Sequence, residues 1–460
     1  MVLPSLKKSL ALAAVIAPCM AAPAWADEFL TPAPIPTLTL AEAPATPVAN
    51  PKEPPCETAP KAGEATPAQP PAAAPATPAA TAAEAAAPTY PPGLFMDALG
   101  PVKKPMDDLG LRVYGWVEAG FTGRLSGGQH PLPMMLFESI RPNNLHLQQL
   151  RLTFDRPYDS NKNVDFGFRM DGMLGIDSLF THSLGMFDKA GHGQSDAWAD
   201  MTQGYVQGWI KTGKESGLEI TAGKFVTPFG AEVIDATGNA LFSHSDLFNF
   251  AIPFTHTGVK LNYIINPQVS VYVGAVEGWD VFEDNNNAWS EMAGFSLNSA
   301  EQIDGHARGS LALNFITGPE QKDNVSNYRT VVDLVGIWWW TGKLSQTLNF
   351  DYGTEAGANA KGNGAHWYGV AHYLTYAWND YAAPTWRVEW FADPEGARTG
   401  TAANYYETTF GVSLTPFPKH SVWKNLTVRP ELRWDWANRE AFGDDHHNQL
   451  TAGVDVIFKF

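Results

Sequence analysis

Cysteine and long apolar runs are both scarce in this sequence. Of 460 residues only two are cysteine, Cys19 and Cys56, and the first lies in a segment that we expect to be cleaved. The single remaining thiol excludes an intramolecular disulfide. After residue 26, no stretch approaches the roughly 20 consecutive apolar residues that a membrane-spanning helix needs. A helical membrane protein is therefore excluded.

Charge is scarce as well, and positive charge most of all. Charged residues make up 17% of the sequence, whereas soluble domains contain about 25%. The 48 acidic residues outnumber the 31 basic ones, which gives a formal net charge of −17. Loss of Lys7 and Lys8 with an N-terminal signal makes this charge more negative still. Because a nucleic-acid-binding surface needs clustered positive charge, we expect no nucleic-acid partner.

Motifs for catalysis and for metal or cofactor binding are missing too. The adjacent residues His446 and His447 show no ligand spacing with an acid or thiol in a fixed element. The triplet 243–245 (Ser-His-Ser) is no nucleophile–base pair, because adjacent side chains on an extended chain point apart. The glycine-rich segment 362–364 is not followed by the Lys-Ser/Thr of a phosphate-binding loop. The sequence therefore predicts no enzyme, no cofactor and no metal site.

Aromatic residues, glycine and a period of two are what the sequence does contain. Aromatic residues account for 12% of the chain, with 16 Trp, and there are 41 Gly. Residues 448–460 alternate between an apolar and a polar face, which indicates a strand. Ile457 is the single apolar residue on the polar face. The apolar face carries Leu450, Ala452, Val454, Val456, Phe458 and Phe460.

Sixteen such alternating segments occupy residues 111–460. Each is close to the ~9–11 residues with which a tilted strand crosses a bilayer, and an even number returns both ends to the same side. The sequence therefore predicts an all-β fold, a transmembrane antiparallel β-barrel of about 16 strands. The segments are 111–123, 143–156, 163–174, 199–212, 217–227, 256–265, 268–278, 289–298, 306–317, 328–340, 344–353, 365–378, 384–393, 404–415, 424–436 and 448–460.

The polar faces of these segments, which we expect to line the lumen, carry both signs of charge. Mixed signs across a pore create a transverse field that orients dipolar solutes. Alternatively, neighbouring charges only neutralise one another on the inner wall. The overall excess of acids predicts a preference for cations. The lumen candidates are Arg112, Glu118, Arg151, Asp155, Asp165, Arg169, Asp171, Arg387, Glu389, Arg429, Glu431 and Arg433.

The connections tend to alternate between short and long, as in bacterial barrels with short periplasmic turns and long outer loops. The connection between Pro228 and Thr255 mixes acids with phenylalanines, and exposing these apolar side chains to water would be unfavourable. We expect it to fold into the lumen and to form a mostly acidic constriction. The alternative is an ordered outer loop packed on the rim. The constriction candidates are Glu232, Asp235, His244 and Asp246.

The sequence divides into four regions. Residues 1–26 have the basic start, apolar run and small-residue end of a secretory signal peptide. Residues 27–92 are rich in Pro and Ala and cannot bury a core, so they predict a disordered periplasmic linker. Residues 93–110 form a short transition segment, and residues 111–460 form the barrel.

Trp and Tyr residues occur near the ends of the predicted strands. Their rings prefer the headgroup level of a membrane, so we expect interfacial girdles. A stacking platform for sugars is the alternative, and it requires rings inside the pore. The residues are Trp198, Tyr205, Trp209, Tyr263, Trp338, Trp339, Trp340, Tyr376, Trp378, Trp434 and Trp436.

Several blocks of residues 109–460 resemble the OmpL-like outer-membrane β-barrel porins. They are 115–120 (GWVEAG), 223–230 (GKFVTPFG), 253–258 (PFTHTG), 318–320 (GPE) and 433–435 (RWD). The resemblance implies a passive or weakly selective diffusion channel that assembles as a homotrimer. In such barrels a terminal Phe belongs to the assembly signal, which implies that Phe458 and Phe460 are recognised by the barrel-assembly machinery.

The sequence and the resemblance together predict an outer-membrane porin, embedded in lipid, through which small hydrophilic solutes or ions diffuse passively. The alternative is a structural or adhesive barrel whose linker contacts peptidoglycan or another periplasmic partner. That alternative predicts a plugged lumen, so a conductance measurement separates the two functions.

Overall fold

The computed structural model describes residues 93–127, 132–138, 142–187, 198–359, 362–443 and 446–460. The predicted signal peptide and linker, with Cys56, lie outside these residues. Within the transition segment, helices α1 (Leu94–Ala98) and α2 (Lys103–Asp108) flank a 3-10 turn (Gly100–Val102). No helix in the described part of the chain is long and apolar enough to cross a membrane.

Sixteen strands close into one antiparallel barrel, which confirms the predicted fold. Each strand begins and ends within three residues of a predicted segment. The strands are β1 (Arg112–Ser126), β2 (Leu145–Arg156), β3 (Val164–Gly175), β4 (Trp198–Lys211), β5 (Gly217–Val226), β6 (Thr255–Asn266), β7 (Val269–Val276), β8 (Ser290–Asn298), β9 (Gly309–Pro319), β10 (Tyr328–Trp339), β11 (Leu344–Glu355), β12 (Ala365–Tyr376), β13 (Ala382–Asp393), β14 (Ala403–Leu414), β15 (Leu426–Ala437) and β16 (Asn448–Lys459).

The period of two separates an apolar outside from a polar inside. Leu152 and Val206 are 46% and 60% exposed on the outer face, whereas Arg151, next to Leu152 in β2, is fully buried on the inner face. Because the sheet closes on itself, every strand has a hydrogen-bonded neighbour on both sides and no edge is left open.

The barrel closes where β16 pairs with β1, as the alternation of residues 448–460 predicts. At the end of this seam, Gly115 and Phe460 exchange two backbone hydrogen bonds of 3.0 and 2.9 Å. A Cβ at position 115 would meet the Phe460 ring at 3.1 Å and the Arg151 carbonyl oxygen at 2.1 Å. Helix α1 packs against the same end, with Phe95 6.3 Å from Phe460 between ring centroids.

The connections at one end of the barrel include four long ones: L1 (127–144), L2 (176–197), L3 (227–254) and L4 (277–289). L2 contains helix α3 (Ser178–Thr181), and L3 contains a 3-10 turn (Ala236–Gly238) and a π-helical turn (Leu247–Ala251).

The predicted alternation of short and long connections holds around the barrel except at two inner connections, 299–308 and 415–425. The connection 299–308 contains a small ladder between Gln302–Ile303 and His306–Ala307, and the connection 415–425 contains a 3-10 turn, Trp423–Asn425. Both are as long as the outer connections of the second half of the barrel, because each has a folded structure of its own.

We predict that Gly115→Leu weakens barrel closure, because the side chain would collide with the Phe460 ring and the Arg151 carbonyl. Overpacking of this kind costs about 1–3 kcal/mol. The measurement is the folded fraction after refolding in detergent, taken from mobility on unheated gels. Gly172→Leu in β3 is the matched control, because a Cβ there meets no atom within 4 Å. Equal folded fractions for the two variants would contradict the importance of this contact.

Candidate functional site

L3 leaves the wall at β5 and returns to it at β6 through a narrow neck. Gly223 lies opposite Gly258 in the ladder, and the Thr227 N–H donates to the Phe254 carbonyl at 2.9 Å. A Cβ added to Gly223 would lie 2.3 Å from a backbone carbonyl oxygen of β4, and a Cβ added to Gly258 would lie 2.2 Å from a backbone carbonyl oxygen of β7. The sequence blocks 223–230 and 253–258 therefore meet in space and form the base of L3.

L3 lies inside the barrel and reaches the opposite wall. The Ser413 hydroxyl of β14 donates to the Ala240 carbonyl at 2.9 Å. Ala236 packs with Trp116 of β1 and with Ile457 of β16, which is only 2% exposed. Ile457, the single apolar residue on the polar face of the last strand, thus supports the tip of L3.

Carboxylates of the wall accept hydrogen bonds from the backbone N–H groups of L3. A loop without regular secondary structure carries unpaired backbone donors, and these need partners once water is excluded. Three strands on one side of the barrel supply them. Asp333 of β10 accepts from Gly230 at 3.1 Å, Glu389 of β13 accepts from Asp246 and Leu247 at 2.7 and 2.6 Å, and Glu431 of β15 accepts from Phe242 and Ser243 at 2.9 and 3.1 Å.

Arginines of the same wall donate to the carbonyl groups of L3. All three are buried, so each needs acceptors for its fixed fork of donors. Arg387 donates to the Ser243 carbonyl at 2.6 Å, Arg429 donates to the carbonyls of Ala236 and Asn239 at 2.9 and 2.8 Å, and Arg433 donates to the His244 carbonyl at 2.5 Å. Both charge signs on the inner wall therefore bind one loop.

The four constriction candidates all lie in L3. Each of the three acids contacts an arginine, and His244 contacts a glutamate. Glu232 and Asp235 also line the cavity described below. The closest contacts are Glu232 with Arg387 at 2.8 Å, Asp235 with Arg151 at 3.0 Å, His244 with Glu138 of L1 at 2.8 Å, and Asp246 with Arg433 at 2.9 Å.

Burial and ion pairing change the pKa values of these loop groups in different directions. Burial raises the pKa of Asp246 to about 8, and Arg433 only partly opposes this effect. Burial also raises the pKa of Glu232, but the charge of Arg387 and the hydrogen bond from the Ser245 N–H help to oppose it, and the net pKa is lowered. Glu232 therefore stays ionised against Arg387.

The twelve lumen candidates lie on the inner wall, and each contacts an opposite charge or the backbone of L3. This favours mutual neutralisation over a free transverse field. The ion pairs are Arg112 with Asp155 at 2.7 Å, Arg151 with Asp171 at 2.7 Å, Arg169 with Asp171 at 2.8 Å, Asp165 with Arg156 at 3.3 Å, Arg387 with Glu407 at 3.0 Å, Arg429 with Glu118 at 3.2 Å and with Asp455 at 2.6 Å, and Arg433 with Asp435 at 2.8 Å.

A cavity of about 170 Å³ remains between L3 and the wall formed by β3 to β6. On the loop side it is lined by residues 227–228 and 232–235 and by Phe248 and Phe254. On the wall side the lining includes two cations, two amides and two aromatic rings. These wall residues are Arg169, Gln203, Gln207, Lys260, Tyr205 and Phe225.

Two residues predicted for the aromatic girdle lie inside the barrel. Tyr205 lines the cavity, and Trp209 is 4% exposed and stacks on Tyr158 with 5.1 Å between ring centroids. Val206 and Ile210 of β4 face outward, and Tyr205 and Trp209 alternate with them, so both rings are on the inner face of the strand. Tyr205 lies in the middle of β4 and Trp209 near its end, so the distance from a strand end does not decide whether a ring faces lipid or the lumen. Trp378, in contrast, is 64% exposed.

Sequence reasoning missed the wall residues that hold L3 from β10 to β12. Asp333 interrupts an apolar run in β10, and this interruption was the available signal. Asn349 of β11 accepts from the Ala231 N–H at 2.9 Å, and Trp367 of β12 donates to the Ala251 carbonyl at 3.1 Å. Among the described residues, no cluster of three or more His, Cys, Asp or Glu side chains is arranged to hold a metal ion.

We predict that Arg387→Met destabilises the protein by about 3–5 kcal/mol, because Glu232 and Glu407 become buried carboxylates without this cation. The measurement is the free energy of unfolding in urea, in detergent. Arg308→Met is the control, because its partner Glu301 is 61% exposed and stays in water without the arginine, so this ion pair contributes about 1 kcal/mol or less. Adding Glu232→Gln to Arg387→Met should recover part of the loss. Equal losses for the two single variants would contradict the anchoring role.

Comparison with known proteins agrees with this architecture. Similar solved structures include the outer membrane channel DcaP of Acinetobacter baumannii (12% identity, 76% of this chain and 97% of that chain, TM-score 0.49) and OprB of Pseudomonas putida (13%, 79% and 97%, 0.49). An anion-selective porin from Comamonas acidovorans is 10% identical over 76% of this chain and 99% of its own, with a TM-score of 0.50, and supports the fold alone.

A search of curated proteins found no match. The family model described as "Putative beta-barrel porin-2, OmpL-like" matches residues 110–460. This range contains all sixteen strands and every residue that anchors L3. The chain therefore belongs to the OmpL-like β-barrel porin family, and it is a porin-type barrel of the outer membrane.

Proposed function

We propose that the protein is a channel through which small hydrophilic solutes or ions diffuse passively, along the cavity between L3 and the wall of β3 to β6. The observation that carries this proposal is that L3 binds charged residues on the opposite side of the barrel, from β10 to β15. The remaining space lies on the β3–β6 side, where Arg169, Gln203, Gln207 and Lys260 of the wall line it.

The cavity is narrow, so we expect small solutes and low conductance. Its volume of about 170 Å³ is below the ~300–1,000 Å³ of sites that hold drug-sized ligands. Arg169 and Lys260 on the wall face a loop side that carries Glu232 and Asp235. Charge selectivity at the constriction should therefore be weak, and the cation preference predicted from the net charge remains a prediction.

The predicted export and assembly belong to the same proposal. A cleaved signal peptide (1–26) would deliver the chain to the periplasm, and the linker (27–92) would remain there. Phe460 lies at the end of the closing seam and Phe458 packs against Trp423 with 5.8 Å between ring centroids. These positions suit a terminal signal that the assembly machinery binds before the barrel closes. A homotrimer is the proposed assembly, and it rests on the family resemblance.

A second function, a structural or adhesive barrel, is favoured by one observation. L1 and L3 fill much of the lumen with an apolar core, in which Phe137, Phe229 and Phe248 pack against wall residues such as Trp367 and Phe391. A barrel that serves only as an anchor needs no open path. In planar bilayers, ion-sized conductance steps support the channel, and silence supports the anchor.

Deletion of residues 232–248 should raise the single-channel conductance several-fold, because it removes the part of L3 that occupies the lumen. Planar bilayer recordings of the purified variant measure this effect. The folded state is checked separately by heat-dependent gel mobility, because the wall loses partners for its buried arginines. An unchanged conductance in a folded variant would exclude L3 as the constriction.

Replacing Gln207 with Trp should lower the conductance at least about twofold, because the side chain lines the cavity and the indole would fill much of it. Val206→Trp is the matched control. Val206 is the preceding residue of β4 and is 60% exposed on the outer face, where an added indole faces lipid. If both variants conduct like the wild type, the passage does not run along β4.

A further inference from the structure

The side-chain amide of Asn239 clamps one residue of the passage wall. Its Oδ1 accepts from the Val233 N–H at 3.0 Å, and its Nδ2 donates to the Val233 carbonyl at 2.7 Å. These two bonds fix the orientation of the amide, because exchanging its oxygen and nitrogen would leave donor facing donor and acceptor facing acceptor. Val233 lines the cavity, so the clamp positions a residue of the passage itself.

The fixed amide determines the protonation state of His244. Asn239 Nδ2 lies 3.2 Å from His244 Nε2, and an NH₂ group can only donate, so Nε2 accepts and carries no proton. The proton of the neutral ring is then on Nδ1, which donates to Glu138 Oε1 at 2.8 Å. The structure therefore requires the neutral Nδ1–H tautomer.

The surroundings of His244 nevertheless attract a second proton. The ring stacks on Phe248 with 4.5 Å between centroids, and the Phe137 ring lies 4.8 Å away at a tilt of 40°. Burial lowers its pKa, but the hydrogen bond and charge of Glu138, with other nearby acids, outweigh burial and raise it. The charged groups around it are Glu138 of L1, Asp177 of L2, Glu232 of L3, and Arg433 of β15, which donates to the His244 carbonyl.

A proton taken from solvent by Nε2 would break the clamp. The new N–H would point at the Nδ2–H of Asn239, and two donors cannot share a hydrogen bond. If the amide rotates to offer Oδ1 to the ring, it loses both bonds to Val233. The Asn239 amide can therefore hold Val233 only while the His244 ring is neutral.

We propose that Asn239 and His244 are positioning residues that hold Val233 back from the passage, and that protonation of His244 releases it and narrows the channel. This inference rests on the proposed function. Release should narrow the passage because the neighbouring loop residues already lie against β2. The Ile234 carbonyl accepts from Gln149 at 2.7 Å, and Asp235 pairs with Arg151 at 3.0 Å. The space into which a released Val233 could move is therefore on the cavity side.

The test is single-channel conductance of the full-length protein between pH 8.5 and 5. We expect at least a twofold fall on acidification, with a midpoint at or above the ~6.5 of an ordinary imidazole. His244→Gln should remove this step. Asn239→Asp should also remove the step, because a carboxylate cannot donate to the Val233 carbonyl and the clamp is then absent at every pH. His420→Gln, in the connection between β14 and β15, is the control and should keep the step. A step that persists in His244→Gln would overturn the proposal.

A second measurement does not depend on conduction. Nitrogen NMR of the ¹⁵N-histidine-labelled protein, with His244→Gln to assign the signal, reports which ring nitrogen carries the proton. We expect the Nδ1–H tautomer at pH 8.5. An Nε2–H tautomer there would overturn the inference even if the channel conducts. If the protein is silent in bilayers, the proposed function fails, while the tautomer and its pH titration still decide whether the clamp exists.

Discussion

The pairing of the L3 backbone with charged side chains of the wall is the interaction on which the rest of this structure depends. L3 has little regular secondary structure, so its N–H and C=O groups cannot satisfy one another, and inside the barrel they are shielded from water. Glu389 and Glu431 meet the donors, while Arg387, Arg429 and Arg433 meet the acceptors. The wall needs both signs of charge because a backbone has both kinds of group.

This pairing changes how selectivity should be inferred from charge. The sequence is strongly acidic, and a net charge of −17 suggests a passage for cations. However, Glu232 and Asp235 in L3 contact arginines, and much of the remaining inner charge is used to hold the loop. In the proposed channel, selectivity would depend on the few groups that line the cavity, among them Arg169 and Lys260, and the net charge of the chain does not predict their sign.

The sixteen strands could be predicted because alternation is a local property, written into each segment by one apolar and one polar face. The inner charges followed from the same periodicity. The residues that bind L3 could not be predicted from this periodicity, because contacts such as Asp333 with Gly230 or Glu138 with His244 join residues more than a hundred positions apart. Ile457 illustrates the difference between what alternation predicts and what only the fold shows. Its place on the inner face was evident, but the loop residue it supports could be found only from the structure.

The contact of Ile457 with Ala236 also links the position of L3 to the closure of the barrel. The strand that carries Ile457 completes the wall by pairing with β1. Until then the tip of L3 lacks its apolar support, as well as the Asp455 carboxylate that holds Arg429 in place. The conformation of L3, and with it the shape of the cavity, therefore depends on the pairing of β16 with β1.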